Sequence, residues 1–317
     1  MNQTTKRIES KGRILSLFLV LILILGAIPG AAFAGGTALA PETALSNTVD
    51  LVYQEAGALT NWNELVAVRA AGRELQDYLL PNTPAAGATG VIVSLIKGDL
   101  TRAQQLAEAM VVEGRLVSST YVYGDALNMI AVEAYNRSAE TDPEDGFAPL
   151  AYDLNETVAT FLTYEEEGGG FGYGYGGDPD ATGMALTALS LYQSDPRLDD
   201  AGRALVEAGI QSGISFLQAT QEENGGFSSW GNNNANSVAV VLSGLIAIGE
   251  DPLSGAWTKS GGNPVDALLS FYVSGGGFGF SSDAEADSYA TQDAVLALAE
   301  FVRGNAFLTT FVAGSDL

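Results

Sequence analysis

The sequence contains no cysteine and no histidine. The first absence excludes disulfides, thiolate nucleophiles and thioester chemistry. Together the two exclude the usual zinc sites and histidine-based catalytic triads, and no cofactor is expected. An exported chain without disulfides fits a bacterial surface better than a small disulfide-bonded secreted domain. Positive charge is also scarce, with 14 Lys and Arg against 38 Asp and Glu. Four of those basic residues and one acid, Glu9, fall in the first 34 positions, leaving 10 against 37 beyond them. Such a surplus repels nucleic acid and anionic lipid, so neither is expected as a partner.

Long apolar runs are limited to one. Residues 14–28 follow a positive segment carrying Lys6, Arg7, Lys11 and Arg13. The run is shorter than the ~20 residues a membrane span needs. Pro29-Gly30 breaks it, and Ala32-Phe33-Ala34 has the form of a cleavage site. This pattern predicts a signal peptide over residues 1–34 and a secreted or cell-surface product with no membrane span after cleavage. An uncleaved anchor is the alternative. No cysteine follows the run, which excludes lipid attachment there.

What remains is apolar and periodic. The chain is 47% hydrophobic, enough for a sizeable core. Residues 35–47 read as a linker, with the fold starting near Thr48. Helical patterns then succeed one another with no convincing strand between them. A short segment covers 49–58. A helix opened by Asn61 and Glu64 as a capping box runs to Leu80, where Pro81 ends it. Residues 85–97 are apolar on nearly every side, as in a helix buried all round. Further helices are expected near 99–110, 126–134, 149–164, 181–193, 199–218, 235–249, 264–273 and 288–303. Residues 308–317 read as a tail.

One stretch recurs. Residues 168–182 form a glycine-rich turn containing Gly170-Phe171, ending in Asp178-Pro179-Asp180 and opening an apolar helix. Gly225-Gly226-Phe227 and Gly276-Gly277-Phe278 begin two weaker copies, so the phenylalanines fall 56 and then 51 residues apart. Repeats of that period decide an architecture before any single residue does. Helices after the glycine turns are rich in small apolar residues. Those between them carry charge on one face. Their alternation suggests two concentric rings.

These repeats resemble the prenyltransferase/squalene-cyclase repeat family. Residues 216–231, with Gln218, Gly225-Gly226-Phe227 and Trp230, are similar to that family's glutamine-to-tryptophan motif, and good matches cover about 160–303. The resemblance implies an all-α fold, an (α/α)6 toroid of inner and outer helices over residues 48–307. It also points to an exported bacterial branch, because residues 62–72, beginning Trp62-Asn63-Glu64, look like the opening of such proteins. Family activities do not transfer wholesale. Zinc-dependent prenyl transfer needs Cys and His. Class II terpene cyclases use D-x-D-D-T-A, whose middle aspartate protonates the substrate. Here Asp178 and Asp180 match the first two acids and Ala181 replaces the third.

Each candidate residue carries two readings. Phe171, Phe227 and Phe278 are expected in the core. Tyr173, Tyr175, Trp230 and Phe280 lie just past the turns, near one mouth of a toroid, where they either pack the turns or recognise a ligand. Asp178, Asp180, Asn234, Asn236, Asp283 and Asp287 precede inner helices and suit N-capping. The sharper role for Asp180, with Asp178 beside it, is a Brønsted acid whose pKa burial and like charge raise. Asp283-x-Glu285-x-Asp287 has calcium-like spacing, but Ser288 stands where the loop glycine belongs, so no metal is expected. A phosphate cradle fails for want of a preceding strand and a following lysine. The reading is a non-catalytic toroid binding a small molecule (apolar or corrinoid-like), a surface protein or a wall polymer at the glycine-turn mouth. The alternatives are a terpene-cyclase-like enzyme using Asp180 and a structural or adhesive wall module.

Overall fold

The computed structural model describes residues 39–55, 57–141 and 146–313. The signal peptide expected over 1–34 lies outside the described residues. Helix α1 (Pro41–Val52) comes first, followed by α2 (Trp62–Ala70), α3 (Gly87–Ile96), α4 (Leu100–Glu108) and α5 (Val122–Thr141). Next are α6 (Leu154–Phe161), α7 (Pro179–Ser190), α8 (Asp200–Thr220), α9 (Ala235–Ala247), α10 (Pro264–Leu269), α11 (Ser288–Arg303) and α12 (Phe307–Thr310). Two short antiparallel ribbons, β1 (Val111–Val112) with β2 (Arg115–Leu116) and β3 (Ser228–Ser229) with β4 (Asn232–Asn233), and two 3-10 turns, Leu75–Asp77 and Leu162–Tyr164, complete the described elements.

The helices form an all-α toroid. Inner helices α2, α3, α5, α7, α9 and α11 each pack on the next, and α11 returns onto α2 to close the ring. Outer helices α1, α4, α6, α8 and α10 cover them, while α12 packs on α5 and α7. The sixth outer place, residues 71–86 between α2 and α3, holds only a 3-10 turn, Leu75–Asp77. Composition assigns the rings. Every residue of α7 from Ala181 to Leu189 is buried, because an inner helix meets protein on all sides. Outer α8 buries Val206, Ile210, Gly213 and Leu217 on one face. Two inner helices touch through glycine: a Cβ at Gly183 would meet Val240 O at 2.7 Å, and one at Gly244 would meet Gly183 O at 2.5 Å.

The repeated turn has one geometry in three copies. Glu166 N donates to Gly170 O, Glu222 N to Gly226 O and Val273 N to Gly277 O, each at 3.0 Å. Phe171, Phe227 and Phe278 are all fully buried. In the first and third copies a threonine hydroxyl from the helix accepts the phenylalanine N–H, Thr182 from Phe171 (2.9 Å) and Thr291 from Phe278 (3.0 Å). Gly170 has φ +73, and a Cβ there would collide with the Phe216 ring. Gly170→Ala is therefore expected to destabilise the fold by about 2 kcal/mol or more, read as a lower denaturant midpoint.

Four sequence expectations are corrected. Ordered structure begins inside the supposed linker: Pro41 sits at the first turn of α1, which buries Ala44, Thr48 and Val49. α2 stops at Ala70 rather than Leu80, with Gly72 in the left-handed region at φ +80. Asn61 caps it by accepting from Glu64 N (3.0 Å), but Glu64 reaches Thr60 N and Oγ1 instead of closing a capping box. The supposed tail from 308 includes most of α12 and buries Leu308 and Phe311. No helix of the described residues is long and apolar enough to cross a membrane.

Candidate binding site at the glycine-turn mouth

The segments before the inner helices converge on one mouth of the ring. Ser229 Oγ, before α9, donates to Asp178 Oδ2, before α7 (2.6 Å). Ala235 N, at the start of α9, donates to Phe280 O, in the turn before α11 (3.1 Å). Thr120 and Tyr121, before α5, share a cleft of about 320 Å³ with Tyr164, Glu165, Glu166 and Tyr173. That volume falls within the range of small-ligand sites.

Each turn projects aromatic side chains outward. Gly172 pairs with Gly177, and Glu166 Oε1 accepts from Gly174 N (2.5 Å), which fixes the loop carrying Tyr173 and Tyr175. Trp230 and Gly231 form the two-residue tip of the β3–β4 hairpin, at φ +54 and +80. This is the geometry of a tight primed turn, and tryptophan is an uncommon occupant of the left-handed region. The hairpin is braced by Asn233 Nδ2 donating to Glu222 Oε2 (2.7 Å). Trp230 is 80% exposed and Tyr175 91%. With Tyr121, Tyr173, Phe280 and Tyr289 they make up all the exposed aromatics among the described residues, and all six lie on the segments that lead into or open inner helices α5, α7, α9 and α11. Thr120, a β-branched residue at φ +69, adds a strained backbone beside Tyr121.

Beneath the rim lie carboxylates. Asp178 caps α7 through Oδ1, accepting from Asp180 N and Ala181 N (both 3.0 Å). Asp180 Oδ1 is buried with no partner among the described residues. Burial pushes its pKa from 3.8 up to about 6; the Asp178 charge adds to this, while the hydroxyls of Ser237 and Ser229 pull it down. Asp293, on α11, accepts from Asn236 Nδ2 through Oδ2 (2.7 Å). Burial raises it from 3.8 to about 7, opposed by the Asn236 hydrogen bond and reinforced by the charges of Asp180 and Asp287. Tyr123 is raised by burial and then by Asp293 and Asp180. Burial, Asp178 and Asp180 bring Tyr173 to about 12.

Below this group the ring axis narrows to a well of about 40 Å³. Trp62, Asn63, Tyr123, Thr187, Ser243, Gln292, Asp293 and Glu300 are among its lining residues, and Leu308 of α12 is another. Space of that size holds about one water.

The expected site residues divide accordingly. Tyr173, Tyr175, Trp230 and Phe280 stand on the rim. Asp178 and Asp287 are caps of α7 and α11. Asn234 is buried and caps α9, accepting from Ser237 N (2.9 Å), which leaves little of it for a ligand. Asp283 is exposed on the loop before α11. No group of three His, Cys, Asp or Glu placed to hold a metal occurs among the described residues. The sequence reading missed Tyr121, Tyr123, Tyr289, Gln292, Asp293 and Glu300. For Tyr289, Gln292, Asp293 and Glu300 the signal that could have found them was polar residues on α11, an inner helix whose pattern is otherwise small and apolar; Tyr121 and Tyr123, at the start of α5, carried no such signal.

No family model matches the sequence, and no curated relative does. Solved structures do. The chain is similar to a polysaccharide lyase (TM-score 0.55, 11% identity) over 83% of its own length and 97% of that chain. It is also similar to a glycosyl hydrolase family 88 protein from Bacteroides vulgatus (TM-score 0.54, 14% identity), over 83% and 99%. These likenesses establish the class, an all-α toroid, and nothing finer.

Proposed function

We propose that this chain is an exported or surface-displayed toroid, of the prenyltransferase/squalene-cyclase repeat type, that binds a sugar polymer across its glycine-turn mouth. The supporting observation is that all six exposed aromatics among the described residues fall on the segments that open inner helices, the end at which that mouth lies. Aromatic faces with polar tips gain by stacking on flat, polyhydroxylated rings, and carboxylates accept from sugar hydroxyls. The acidic surroundings disfavour a polyanion. Solved toroids of similar shape include one named a polysaccharide lyase and one a glycosyl hydrolase.

Titration calorimetry with oligosaccharides of stated composition tests this. Trp230→Ala is expected to weaken binding about tenfold, the equivalent of ~1.4 kcal/mol, with the circular dichroism spectrum unchanged. Unaltered affinity in Trp230→Ala, or no binding of any oligosaccharide, sinks the proposal.

A second reading, acid catalysis by Asp180, is favoured by its buried, unpartnered Oδ1 and raised pKa. Terpenoid cyclisation is disfavoured by size, because the axial well offers about 40 Å³ where drug-sized ligands occupy several hundred. Release of reducing ends from a bound oligosaccharide, lost in Asp180→Asn, would establish turnover in place of binding alone.

A further inference from the structure

We infer that the axial well is an ammonium subsite, taking the free amine of an unacetylated amino sugar between Asp293 and the Gln292 amide oxygen, with Asp180 at its opening. This rests on the sugar-binding reading of the mouth and specifies which sugar the mouth selects.

Gln292 is the first observation. It is 1% exposed, lines the well, and has neither Oε1 nor Nε2 hydrogen-bonded among the described residues. A buried amide left unpaired is destabilising, and a group donating to Oε1 in the well would recover part of that cost. Glu300, also 1% exposed and lining the well, leaves Oε2 without a partner among the described residues. The second observation is charge. Among the described residues no lysine or arginine lines the well, while Asp293 and Glu300 do. Asp180, Asp178 and Asp287 add negative charge from the mouth side. The third is shape. About 40 Å³ suits one ammonium group, given ~30 Å³ for a water in the liquid. An acetamido group brings four heavy atoms in place of one and does not fit. Trp62 and Tyr123 also line the well, and aromatic rings favour a cation over a neutral group.

An ammonium entering beside Asp293 stabilises its carboxylate, so binding releases a proton near neutral pH. Calorimetry of the full chain at pH 6.5 would compare three probes: a glucosamine tetramer, an N-acetylglucosamine tetramer and a glucose tetramer. The glucosamine tetramer is expected to bind at least about tenfold more tightly than the other two. Its heat should vary with buffer ionisation enthalpy as for proton release. Asp293→Asn should bring it to within about twofold of the acetylated tetramer. Gln292→Leu, which removes the amide acceptor at nearly constant volume and adds no charge, should do the same and decides the matter if Asp293→Asn does not fold. Equal affinity for all three probes overturns the ammonium well and leaves the sugar-binding mouth standing. Failure of all three overturns both. Potassium competing as well as methylammonium would make this a bare-cation site and also overturn the inference.

Discussion

Glu300→Gln should make the toroid more stable at pH 8 by about 2–3 kcal/mol and leave it nearly unchanged at pH 4. Glu300 lies on α11, is 1% exposed, and accepts from Phe307 N through Oε1 (2.7 Å). Burial raises its pKa from 4.5 to about 7, while Ser243 and the backbone of Phe307 and Leu308 pull it down. The folded state thus holds its proton more tightly than the unfolded chain does. The stabilisation is fully present below pH 4.5 and is lost as pH rises to about 7, beyond which both states carry the charge. A gap from 4.5 to 7 corresponds to about 3 kcal/mol. Glutamine keeps the acceptor for Phe307 N and removes the charge, with a modest loss for the second amide position. Urea unfolding at pH 4 and pH 8 measures both arms. Asp180 and Asp293 are raised in the same sense, but they are partly open to solvent at the mouth, which screens their contribution. They remain in the variant, so its pH dependence should be reduced rather than abolished. An unchanged slope would mean that water reaches Glu300.

The ring architecture was legible because its cause is local and repeated. Glycine turns, capping Asp and Asn, and small apolar helices recur at a spacing that only stacked helix pairs satisfy. Asn61, Asp178, Asn234 and Asp287 could be read as caps because a cap is determined within four residues of chain. Where helices begin and end was less legible. Leu75 to Leu80 look helical by composition, yet Gly72 adopts φ +80 and tertiary contacts draw the chain away. The acidic well was illegible for a different reason. Asp180, Asp293 and Gln292 come from helices more than one hundred residues apart in sequence, and only ring closure brings α7, α9 and α11 to a common axis. Periodicity shows that α11 is inner. It does not show that residues 292, 293 and 300 face the axis and not a neighbouring helix.

Ring closure also separates two roles that the sequence places side by side, and a pair of variants should expose the separation. Phe227→Ala is expected to cost about 3–5 kcal/mol, as for other fully buried phenylalanines. Against a total stability of roughly 5–15 kcal/mol, this brings the protein near unfolding at modest temperature. Phe227 is 0% exposed and lies in the core between the rings. The turn around it is closed by Glu222 N donating to Gly226 O (3.0 Å). It is also tied to the outer ring's connections by Gln221 Nε2, which donates to Gly225 O (3.0 Å) and Trp257 O (2.7 Å). These bonds do not replace the lost ring, because backbone polar groups cannot fill an apolar cavity. Trp230, three residues later, is 80% exposed; removing it deletes almost no buried area, so Trp230→Ala should change stability by no more than about 0.5 kcal/mol. Its effect belongs to ligand binding. Paired denaturation and calorimetry curves therefore give opposite profiles: Phe227→Ala unfolds early yet binds normally where folded, and Trp230→Ala unfolds normally yet binds weakly. A stability loss below about 1 kcal/mol for Phe227→Ala would show that the turn is held by its hydrogen bonds alone. A large loss for Trp230→Ala would make the exposed rim part of the scaffold, and the case for a binding mouth would fall with it.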